Sequence, residues 1–61
     1  MTLRIRRRLM YRASPKAGLK SSWIEYQVVE GRRVVSRHDL ASQAQRWCDE
    51  HRPGAEVELL S

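Results

Sequence analysis

Sixty-one residues with 41% apolar content and a single cysteine, Cys48, make one domain (1–61) with a thin core. A chain this short buries only ~60% of the surface its unfolded form exposes, and neither an internal disulfide nor a four-cysteine zinc site can support it, so a homodimer is the first alternative source of stability. No apolar run approaches the ~20 residues that cross a bilayer, no apolar segment follows the first arginines as a secretory signal requires, and a lone cysteine suits a reducing compartment; the expectation is a cytoplasmic protein with no membrane partner.

Residues 1–20 carry Arg4, Arg6, Arg7, Arg8, Arg12, Lys16 and Lys20 and no acid, a formal +7. Leu3, Ile5, Leu9 and Tyr11 share one parity, interrupted by Arg7, whereas Arg4, Arg6, Arg8, Met10 and Arg12 take the other. That is the period of a half-buried strand, predicted over 3–12, with a row of guanidinium groups on one face. Such a row either guards an edge strand against aggregation or awaits an anion. An Arg-rich, acid-free start also fits a mitochondrial presequence, but strand alternation argues against it, and its removal would leave too little chain for a core. Residues 13–22, with Pro15, Gly18 and three serines, read as a loop whose lysines extend the basic surface.

Ile24, Tyr26 and Val28 alternate with Glu25 and Gln27 in a second predicted strand, 23–29, and Trp23 falls on the parity opposite Ile24. Glu30-Gly31 supplies the turn to a third strand, 32–37. Two registers are open here: Tyr26 opposite Val35, or, with a bulge, Val28 opposite Val34. They send Val34 and Val35 to opposite faces. Residues 21–38 sum to +1 and residues 39–61 to −3, so the basic half of the chain is followed by an acidic one. Asp39 is the expected N-cap of a helix over 40–51, with Leu40, Ala44, Trp47, Cys48 and His51 in one apolar stripe. Pro53 and Gly54 end it, and 55–60 alternates as a short closing strand. The expected fold class is α+β: a small antiparallel sheet in the order β-β-β-α-β with one helix on one face.

Cys48 and His51, three apart on a helix, could share a metal or form a thiolate–imidazolium pair, but packing in the stripe explains both. No glycine-rich phosphate loop and no nucleophilic triad is present. The sequence therefore predicts neither an enzyme nor a cofactor or metal site.

The residues Trp23-Ile24-Glu25-Tyr26, Glu30-Gly31-Arg32 and Ala44-Gln45-Arg46-Trp47 resemble the arm-binding domains of phage tyrosine integrases and the plant ethylene-response DNA-binding domains. Short uncharacterised bacterial and phage ββαβ domains are similar to about the same degree. The integrase-type resemblance covers residues 23–47 and implies a three-stranded antiparallel sheet that reads DNA, packed on one helix, with Arg4, Arg6, Arg8, Arg33 and Arg37 as contacts. Leu40 stands where those families place a Thr or Ser cap, and the acidic closing strand lies outside their pattern. The leading expectation is a small DNA- or RNA-binding accessory protein of a phage or mobile element, contacting phosphates through Arg4, Arg6, Arg8, Arg12, Lys16, Lys20, Arg33 and Arg37, with Trp23 able to stack on a base. The alternative is a protein that binds and inhibits or adapts a host protein complex, using its two-sided charge, Trp23 and free sheet edges.

Overall fold

In the computed structural model, which describes residues 1–14 and 19–60 (for 13, 14, 19 and 20 the backbone alone), four strands and one helix follow in the order β1 (Thr2–Ser14), β2 (Leu19–Glu30), β3 (Arg33–His38), α1 (Ala41–His51) and β4 (Glu56–Leu60). The strands form one sheet ordered β3-β2-β1-β4, with α1 packed on one face, an α+β fold. β1, β2 and β3 pair antiparallel, but β4 joins β1 in parallel, so the sheet is mixed rather than wholly antiparallel. The reason is the crossover. β3 runs parallel to β1, and the helix returns the chain to the far edge of the sheet in the same sense, as parallel neighbours require.

The alternation in β1 sets the two faces. Leu3 and Ile5 are fully buried beneath the helix with Val28, Ala44 and Cys48, while Tyr26, Val35, Trp47, Ala55 and Val57 pack around them. Each fully buried Leu, Ile or Val contributes roughly 1.5–3 kcal/mol, and three such side chains are few for a whole domain.

β1 and β2 run well past the expected loop boundaries. Pairing continues from Leu3↔Glu30 to Ser14↔Leu19, so residues 13–14 and 19–22 belong to strands. Thirteen residues at about 3.3 Å each span roughly 43 Å, in keeping with the 47 Å long dimension. The eleven-residue helix is only about 16 Å long and covers less than half of that length. The remainder of β1 and β2 is a two-stranded arm. Leu9 and Tyr11, whose parity predicted burial, are 62% and 77% exposed, because no helix reaches their rows.

The hairpin register differs from both expected alternatives. Gly31 and Arg32 form the turn, Glu30 pairs with Arg33 and Val29 with Val34, and a bulge at Val35 then places Val28 opposite Ser36. Gly31 takes φ +64 while Arg32 stays negative, the pattern of a type II′ turn, whose first position needs glycine. Ordinary alternation sends Val34 away from the helix and Val35 toward the core; the bulge keeps Ser36 on the core side as well and so turns Arg37 to the outer face.

Asp39 is not the helix cap. Leu40 occupies that position in extended geometry, without a side-chain cap bond, and Ala44 N–H donates to its carbonyl at 3.2 Å. Outside the helix proper, Leu40 is 55% exposed rather than part of the buried stripe. At the other end Ala55 N–H donates to Arg52 O at 3.1 Å across Pro53 and Gly54. Gly54 at φ +82 and Pro53 before it are the residue types a type II turn requires. That turn delivers Glu56, whose N–H donates to Met1 O, alongside β1. Among the described residues no helix is long and apolar enough to cross a membrane.

Candidate functional site

Among the described residues no element covers the face of the sheet opposite the helix. Cross-strand partners share a face, so the register assigns its rows. From the closed end they are Glu56 and Thr2; Glu58, Arg4, Val29 and Val34; Leu60, Arg6, Gln27 and Arg37; Arg8 and Glu25; Met10 and Trp23; Arg12 and Ser21. Arg4, Arg6, Arg8, Arg12, Arg37 and Trp23, all expected as contacts, therefore emerge on one surface. Trp23 is 41% exposed beside Met10. Arg33 does not join them. Its partner Glu30 lies in the row of buried Leu3, which puts Arg33 at the rim of the helix side, whereas the bulge at Val35 turns Arg37 to the outer face opposite Gln27. Lys16 lies outside the described residues, as does the side chain of Lys20.

The arginines of this face are not equivalent. Arg6 donates from Nε and Nη2 to Gln27 Oε1 at 3.2 and 2.6 Å, and Gln27 Nε2 donates to Glu25 Oε2 at 2.7 Å. Glu25 in turn sits 3.8 Å from Arg37 Nη1. Gln27 is buried to 3% exposure in the middle of this relay, and both ends of its amide are satisfied. It thus fixes the guanidinium plane of Arg6 through two bonds to one oxygen, which a carboxylate-free neighbour can do without cancelling the charge. Arg4 pairs with Glu58 at 3.6 Å, both well exposed, a contact worth little in water. Among the described residues no carboxylate forms an ion pair with Arg8 or Arg12. The arginines of this face that lack an ion-pair partner among the described residues therefore include the two nearest the end of the arm.

A groove of about 420 Å³ opens beside Arg6, Arg8, Met10, Gln27, Val34 and Arg37, and Leu9 and Tyr11 of β1 also line it. Three guanidinium groups beside apolar Met10 and Val34 suit an anionic group attached to a flat or apolar one. Gln27, Met10 and Val34 were missed as site residues at the level of sequence. Gln27 has the parity of Glu25, and that alternation was the available signal; Val34 required the register.

Cys48 and His51 do not converge on a shared ligand. Burial pushes the Cys48 thiol up, with the Asp49 charge adding to it, the opposite of what a nucleophile needs. His51 stacks on Trp47 at 4.6 Å between ring centroids, and its Nδ1 lies 3.0 Å from Trp47 O. The Arg52 guanidinium lies over the Trp47 ring, 5.4 Å from its centroid, and its Nε donates to Glu30 Oε2 at 2.8 Å. These residues tie the helix end to β2. No protein family, curated protein or solved structure matches the chain.

Proposed function

We propose that the protein binds nucleic acid through the helix-free face of its sheet, phosphates lying against Arg6, Arg8, Arg12 and Arg37 and bases or sugars against Trp23 and Met10. The observation that carries this reading is the gathering of five arginines and Trp23 on one uncovered face. Two further features support it. A two-stranded ribbon is narrow enough to enter a major groove, and the arm formed by β1 and β2 is such a ribbon. Arginine, planar and permanently charged, is the residue suited to phosphate oxygens and to stacking. On this reading Arg4, held beside Glu58, contributes less than Arg8 and Arg12. A small accessory protein of a phage or mobile element, the kind of source the integrase-type resemblance suggests, would use such a face in the cytoplasm. The parallel β4 has no counterpart in that type of domain.

Salt titration of duplex binding tests the reading. Contacts from about three or four arginines give a slope of log K against log salt of about −3. A slope near zero, or no binding at low salt, excludes it. The second reading, a protein that binds a host complex, is favoured by the unpaired outer edge of β3, to which a partner strand could add. A stoichiometric protein captured after nuclease treatment, from a chain with no duplex affinity, would decide for it.

A further inference from the structure

The five arginines of the helix-free face differ in a respect that charge does not describe, the freedom of the guanidinium group. Arg8 and Arg12 are exposed, and among the described residues no carboxylate forms an ion pair with them. Arg4 and Arg37 are exposed too, and the carboxylates 3.6 and 3.8 Å from them hold their orientation only loosely. Of the five, Arg6 alone is half-buried, and its Nε and Nη2 both donate to a single oxygen, Gln27 Oε1.

The direction of that oxygen is itself decided. Gln27 is buried, and its Nε2 donates to Glu25 Oε2. A carboxylate only accepts and a guanidinium only donates, so an amide between them satisfies both in one orientation, with its oxygen toward Arg6. Arg37 Nη1 lies 3.8 Å from the same Glu25 oxygen and balances the charge of that carboxylate. Glu25 thus acts on Arg6 through the amide, and no ion pair forms between the two among the described residues. With Nε–H and one Nη2 proton engaged, an Nη1 proton and the second Nη2 proton form the other two-donor edge of the guanidinium. Arg6 also lines the groove.

We infer that Gln27 is a positioning residue for this face, holding Arg6 so that its second edge meets two oxygens of one phosphate. The inference rests on the proposed binding of nucleic acid and adds a division of labour to it. A guanidinium held in place before the ligand arrives loses less side-chain freedom on binding and presents both donors at once. Arg8 and Arg12 act mainly through charge, which a lysine supplies nearly as well. At position 6 a lysine keeps the charge but loses the planar fork that Gln27 orients and that two phosphate oxygens match.

The first test needs no ligand. In the free full chain, the Arg6 Nε proton should exchange with water at least about tenfold more slowly than those of Arg8 and Arg12, read from nitrogen–proton correlation spectra. Gln27→Met, which keeps the length of the side chain without its amide, should remove that protection. Lysine exchanges then test the same claim on duplex DNA without touching the buried amide. Arg6→Lys should weaken binding about tenfold, with the slope of log K against log salt within about half a unit of wild type. Arg8→Lys and Arg12→Lys should each weaken it by only about two- to threefold. Gln27→Met should cost about as much as Arg6→Lys alone, but less than about twofold once Arg6 is lysine, a coupling that a purely structural glutamine would not show. Equal losses from the three lysine exchanges, or a Gln27→Met effect undiminished by Arg6→Lys, overturn the inference and leave nucleic-acid binding standing. An unprotected Arg6 Nε proton in the free chain overturns it as well. Absence of duplex binding by the wild type at low salt removes the proposed function itself, and the inference with it.

Discussion

Ile5 carries an unusual share of this fold. It is buried to 1% exposure in β1, between β2 and β4, and among the described residues the buried core around it is Leu3, Val28, Ala44 and Cys48. Ile5→Ala should remove about 2–5 kcal/mol. A single core of this size rarely supplies more than ~3–5 kcal/mol, so the variant is expected to be largely unfolded at 25 °C by far-ultraviolet circular dichroism. Cys48 gives a second expectation with a definite sign. Its thiol pKa is raised in the fold, so the neutral form is favoured there, and the associated stability is complete below the unfolded thiol value of about 8.5. It is lost as pH rises through the higher folded value. Urea midpoints should therefore fall above pH ~8.5 in a way that Cys48→Ala, though less stable throughout, does not share. Alkylation of Cys48 at neutral pH should track global unfolding; rapid labelling of the native protein would contradict its burial.

At the scale of elements, two glycines hold the connections that align the sheet. Gly31 and Gly54 have φ of +64 and +82, and a Cβ at either would meet nothing within 4 Å. The cost of alanine is therefore backbone conformation alone, about 1–2 kcal/mol at each, and asparagine should cost less. Urea unfolding of Gly31→Ala, Gly31→Asn and the same pair at Gly54 checks both size and order. The element order and the two faces of β1 were legible in the sequence, because alternation over Leu3, Ile5, Leu9 and Tyr11 leaves a strand little choice. What was not legible shares one cause. Local pattern carries no information on where a neighbour ends. Leu9 looks as buried as Ile5 until the helix length is set against the strand length. Arg33 looks as available as Arg37 until the bulge at Val35 sets the two on opposite faces. Pro15, Gly18 and the serines suggested a long loop, but antiparallel pairing carried both strands through Ser14 and Leu19. Asp39 has the chemistry of a cap, yet the helix begins one residue beyond its reach.

For the whole molecule, the proposed function rests on one face of the sheet, the one opposite the helix. The central claim, that the helix-free face binds nucleic acid, meets its most direct test in a comparison of charge at matched count. Arg8→Gln with Arg12→Gln removes two positive charges from that face, and Arg46→Gln with Arg32→Gln removes two from outside it, one on the outer helix and one in the β2–β3 turn. The measurement is duplex affinity as a function of salt for these two variants and the wild type. The first pair should lower the magnitude of the slope by about two and weaken binding at every salt concentration, while the second leaves the slope within about half a unit of wild type. Equal losses from the two pairs would mean that net charge alone attracts the nucleic acid, and would contradict an interface on the arginine face.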